Sequence, residues 1–144
     1  MEKDTVELNN ELSEAEDIEE FIEDNLESFQ KYTLAEYLGV LMKEKGQKKG
    51  EIIAKSHLEQ IYAYHIFAGR KKNPSRNKIL DLALAMNLTQ KETGRLLYYA
   101  GSEVLYPKNA WDSVIIYALN NKMSVEDTNT LLLKLSQAPL MQNV

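Results

Sequence analysis

The sequence predicts an all-α fold, and three observations carry that reading. Apolar residues recur in steps of three and four along most of the chain, the spacing of one face of a helix. No segment of more than a few residues alternates apolar and polar as a half-buried strand does. Only three prolines and six glycines interrupt the 144 residues, and several of them stand where helical spacing stops. With 44% hydrophobic residues, a chain of this length can bury roughly 70% of its unfolded surface, enough for a core without covalent staples.

Taken in order, residues 1–14 are polar and read as lacking fixed structure. Ile18, Phe21, Ile22, Leu26 and Phe29 then form one stripe with acids on the opposite face. Such a helix is marginal alone and needs an apolar surface to dock on. Thr33 and Glu36 have the spacing of a capping box, followed by Leu34, Tyr37, Leu38, Leu41 and Met42 on one face and by Gly46 as a stop. Short helices fit residues 50–56 and 60–68, with Ile52, Ile53 and Ala54 as core candidates in the first and Gly69 ending the second. A basic loop, 70–74, leads to a helix capped by Ser75 with Ile79, Leu82, Ala83 and Met86 inward. Thr89 and Glu92 form a second capping box, opening a helix that runs to Gly101. Beyond Pro107, Trp111, Val114, Ile115 and Ala118 form a stripe that is either core or a contact between two copies. Ser124 and Asp127 open a last helix through Leu131, Leu132 and Leu135, before Pro139. This divides the chain into an acidic N-terminal arm and helix (1–30), a helical body (31–104) and a helical C-terminal extension (105–144).

Charge is distributed unevenly. Residues 1–30 hold 12 acids and one base, a net of −11; residues 31–144 hold 16 bases and 10 acids, a net of +6. Between Lys43 and Lys78 there are 10 bases and three acids, a net of +7. A basic body suggests an anionic partner. The acidic arm is an extra helix, a competitor for the basic face, or a handle for a protein partner.

Several function classes are set aside. The chain has no cysteine, so disulfides, iron–sulfur clusters, thiolate zinc sites and cysteine nucleophiles are excluded. No apolar run is long enough to span a bilayer, and the N-terminus lacks the apolar stretch of a signal peptide. A soluble, cytoplasmic protein without membrane contact is expected. His57 and His65 are eight residues apart with no third ligand nearby, so no metal is expected. No serine–histidine–acid pattern and no phosphate-cradling glycine loop is present, so neither an enzyme nor a cofactor is expected.

The segment with a mechanism is 50–69. Ala54 is read as the small residue of a first short helix, Leu58 as the apolar turn residue, Ala63 and Ile66 as inward positions of a second helix, and Gly69 as its stop. This register resembles the lambda-repressor-like, or XRE-type, helix-turn-helix DNA-binding family, over roughly residues 34–88. The resemblance implies a transcriptional regulator whose second helix lies in the major groove of double-stranded DNA. It assigns base reading to Gln60, Ile61 and His65: glutamine can pair with adenine, and isoleucine can meet a thymine methyl. It assigns the sugar–phosphate backbone to Lys48, Lys49, Tyr62, Tyr64, Arg70, Lys71, Lys72, Arg76 and Lys78. It also implies a homodimer on two half-sites. The chain departs from the family pattern at Gly50, Glu59 and Phe67, where the family usually has a glutamine, a polar cap and an acid. Ser56 with Glu59 offers an alternative capping box that would start the second helix three residues earlier. The rival reading is an adaptor that keeps this helical fold but binds a protein.

Overall fold

Nine α-helices, and no strand, run through residues 3–25 and 32–140, the residues described in the computed structural model. They fall into two compact units, residues 1–31 and 32–144.

The first unit holds α1 (Thr5–Glu14) and α2 (Ile18–Asp24). The helix α1 corrects the expectation that residues 1–14 lack fixed structure. Its polar composition concealed a local start signal: the Asp4 carboxylate accepts the Glu7 N–H at 2.8 Å, satisfying a donor that the helix itself cannot. Lys3 and Glu11 form an ion pair along it. Asp17 caps α2 in the same way through the Glu19 N–H. Of the predicted stripe, Ile18 and Ile22 are exposed and Phe21 is half-buried. Leu26 and Phe29 lie outside the described residues.

The second unit comprises α3 (Leu34–Lys45), α4 (Lys49–Lys55), α5 (Gln60–Phe67), α6 (Arg76–Ala85), α7 (Gln90–Tyr99), α8 (Ala110–Asn120) and α9 (Val125–Lys134). Both predicted capping boxes form, Thr33 with Glu36 and Thr89 with Glu92. Gly46 ends α3 at φ +63°, in the left-handed region that a Cβ disfavours. Aromatic rings join α3 to α7, with the Tyr37 and Tyr99 centroids 4.9 Å apart.

The helix α6 is the centre of this unit. The spacing predicts one inward stripe on it. Instead every residue from Ile79 to Met86 is buried, none more than 4% exposed. The reason is tertiary: α4, α7, α8 and α9 all pack against it, so from Ile79 on it has no solvent face. The stretch leading to Leu140 is strapped to the same centre. The Asn77 amide donates to the Leu140 carbonyl at 2.7 Å, the Leu140 N–H donates to Asn129 at 2.8 Å, and the Trp111 indole donates to the Ala138 carbonyl. In α8, Val114, Ile115 and Ala118 are core and Trp111 is half-buried. In α9, Leu132 is buried; the helix ends at Lys134, with Leu135 as its cap and 50% exposed.

Arg76, expected on a phosphate, closes an internal clasp. Its guanidinium donates twice to the Asp112 carboxylate, at 2.9 and 3.0 Å, and also to the Glu103 and Val104 carbonyls. Asp112 in turn accepts the Tyr106 N–H. Burial pushes the Asp112 carboxyl up, but the bonds from Arg76 and Tyr106 and the charge of Arg76 outweigh it and hold it below the usual range. The clasp ties the start of α6 to the 103–106 loop and to α8. Arg76→Ala should therefore cost about 2–4 kcal/mol, because Asp112 is left nearly buried and unpaired. Urea unfolding should show that loss, and Arg76→Met with Asp112→Leu should recover much of it.

Candidate nucleic-acid interface

Two short helices, α4 and α5, are joined by residues 56–59. The chain enters α4 with Ile52 and Ile53 buried and Ala54 exposed. Ile52 and Ile53 face the core as expected, whereas Ala54, the small residue also read as inward, points outward. Helical spacing tolerates either phase over so short a helix; packing on α6 selects the two isoleucines.

Ser56 closes α4 rather than opening α5. Its hydroxyl donates to the Ile53 carbonyl at 2.8 Å, and its oxygen accepts the Leu58 N–H at 3.4 Å. The alternative capping box from Ser56 is thus not formed. Leu58 is buried at the turn, as expected. Glu59 is the cap of α5: its carboxylate accepts the Ile61 N–H at 3.1 Å and the Tyr62 N–H at 2.7 Å. A carboxylate suits that position because it meets free N–H groups and the positive end of the helix dipole.

Within α5, Ala63, Ile66 and Phe67 face the core. Gln60, Ile61 and Tyr64 are exposed, with Ile61 64% exposed, and His65 is half-buried. Positions 60, 61, 64 and 65 lie on one side of a helix, so the predicted base-reading set is brought together with Tyr64. Gly69 follows at φ +81°, and the chain leaves into the basic loop. That loop is anchored by the Asn73 amide, which donates to the Ala100 carbonyl at 3.0 Å.

Tyr62 gathers two of the predicted backbone residues. The Lys78 ammonium sits 3.9 Å from its ring centroid and that of Lys71 5.6 Å away, both within cation–π range. Arg70, Lys71 and Lys72 are exposed on the loop, and Lys48 is exposed with Lys49 half-buried at the start of α4. Arg76 does not belong to this set, being held in the clasp with Asp112.

The residue that sequence reasoning missed is Asp81. It is fully buried on α6, and the His57 N–H in the α4–α5 connection points to both its oxygens, at 3.2 and 3.3 Å. Its signal was an acid standing between Leu80 and Leu82 in an otherwise apolar run. Burial pushes its carboxyl up to about 6, against the opposing bond from His57.

Among the described residues no helix is long and apolar enough to cross a membrane, and no three acids or histidines are grouped to hold a metal ion. No family model, no curated protein and no solved structure matches this chain.

Because Asp81 binds its proton more tightly folded than unfolded, it favours folding at low pH and loses that contribution as pH rises toward 6. Asp81→Asn abolishes this titration. The stability of the variant minus that of the parent should therefore grow by about 2 kcal/mol between about pH 4 and pH 7, measured by denaturant unfolding. A constant difference would show that Asp81 titrates alike in both states.

Proposed function

We propose that the protein is a duplex-DNA-binding regulator of the lambda-repressor-like helix-turn-helix kind. In this reading α4 and α5 are the two helices of the motif and α5 lies in the major groove. One observation carries it: α5 turns exposed Gln60 and Ile61 and half-buried His65 to one side while burying Ala63, Ile66 and Phe67. Lysines on the Tyr62 ring stand beside that face. Gln60 would pair with adenine and Ile61 would meet a thymine methyl. Lys48, Lys49, Arg70, Lys71, Lys72 and Lys78 would meet phosphates, supplying affinity and position rather than sequence choice. The reading includes two copies on paired half-sites, a cytoplasmic location and no catalytic role.

The exposure of Ile61 and Tyr64, 64% and 40%, favours a second reading in which the same face binds a protein. Salt separates the two. With about five phosphates contacted, log affinity for random duplex should fall with log salt at a slope near −4.5. Fluorescence anisotropy on labelled duplexes measures it, and absence of binding at low salt would overturn the DNA reading. On a duplex selected by the protein, Gln60→Ala should cost about 1–3 kcal/mol of preference over random duplex. Arg70→Ala should weaken both duplexes alike and make the slope shallower by about one unit.

A further inference from the structure

Behind the connection between α4 and α5 stands a buried carboxylate. Asp81 on α6 is fully buried, and the His57 N–H reaches both its oxygens, at 3.2 and 3.3 Å. We infer that Asp81 is a positioning residue for α5: through the His57 N–H it holds the connection against α6 and so sets where Gln60 and Ile61 stand. The tie itself stands on this geometry; its consequence for sequence choice rests on the reading of α5 as the helix in the major groove.

Neighbouring N–H groups are satisfied from within the two-helix segment, Leu58 by Ser56 and both Ile61 and Tyr62 by Glu59. The His57 N–H instead reaches a different helix, 24 residues along the chain. Gln60 and Ile61 follow His57 by three and four positions and open α5, so a shift of the connection passes directly to them. A second contact comes from the same helix. Lys78 of α6 sits 3.9 Å from the centroid of the Tyr62 ring, and Lys78 and Asp81, three residues apart, lie on one side of α6. The helix α6 thus holds the segment at two points, the connection and the Tyr62 ring.

An apolar residue at position 81 would suit a place between buried Leu80 and Leu82 better than a carboxylate does. It would also leave the His57 N–H without an acceptor on α6. His57 is exposed, so its N–H would turn to water and release the connection outward. Base reading needs side chains placed to within about 0.5 Å, whereas attraction to phosphates does not. Losing the tie should therefore reduce the preference between sequences and spare affinity for random duplex. Asparagine keeps an acceptor oxygen without the charge, which separates the bond from the charge.

The test compares Asp81→Leu with Asp81→Asn in the full-length chain by denaturant unfolding, backbone amide NMR and duplex binding. In folded Asp81→Leu, the amides of residues 57–62 should shift more than those of α7, and exchange of the His57 N–H with solvent should speed up about tenfold. On a duplex selected by the parent, Asp81→Leu should lose about tenfold of its preference over random duplex, with affinity for random duplex changed less than about twofold. Asp81→Asn should keep the parent's 57–62 amides and its preference. Should Asp81→Leu fail to fold, His57→Pro in the Asp81→Asn background removes the donor instead, and the same losses are expected. Ser56 before it is extended, at ψ 161°, as a residue preceding proline favours. Unmoved 57–62 amides, or equal losses in Asp81→Leu and Asp81→Asn, would overturn the tie. Amides that move while the preference stays would overturn the positioning role. If the parent binds no duplex, the DNA reading fails and the amides alone decide the tie.

Discussion

Enclosure of α6 is the constraint on which the second unit depends. A helix with no solvent face must be surrounded before its apolar residues are worth burying, so α4, α7, α8 and α9 are recruited together rather than in pairs. This is why α8 and α9 share a core with the helices before them. It is also why α4 and α5 can be short: neither is long enough to be stable alone, and both are held by α6 or by α3.

Two carboxylates handle that enclosure differently. Asp112 reaches a guanidinium and remains charged, so its burial is offset by a bidentate pair. Asp81 has the single His57 N–H, split between its two oxygens, and burial raises its proton affinity. The first fastens a loop and a helix to the start of α6. The second puts a costly group under the connection between α4 and α5, and thereby fixes where that connection sits.

The exposed side of α5 follows from the same packing. Burying Ala63, Ile66 and Phe67 leaves Gln60, Ile61, Tyr64 and His65 outside, and Glu59 anchors the end from which they project. Lys71 and Lys78 come from the loop and from α6, yet both meet the Tyr62 ring. A positive rim beside an amphipathic exposed side of α5 therefore has parts from three elements.

Local chemistry was legible in the sequence. Capping at Thr33, Thr89 and Ser124, the glycine stops at 46, 69 and 101, and the inward places of Leu58, Ala63 and Ile66 depend on neighbours within four residues. Such signals act through one turn of backbone and need no partner elsewhere. The helix over residues 5–14 was legible too, through Asp4, but average composition obscured it. What the sequence by itself determined was thus an all-helical chain, most of its helix ends and which of residues 60–67 turn outward. Tertiary structure alone decided the rest. Whether Ala54 faces inward with Ile52 and Ile53, whether Arg76 meets a phosphate or Asp112, and whether α6 has one buried side or is enclosed from Ile79 on all depend on residues in other helices. No periodicity or spacing rule carries that information, because these choices are settled by which surfaces are left to cover once the helices meet.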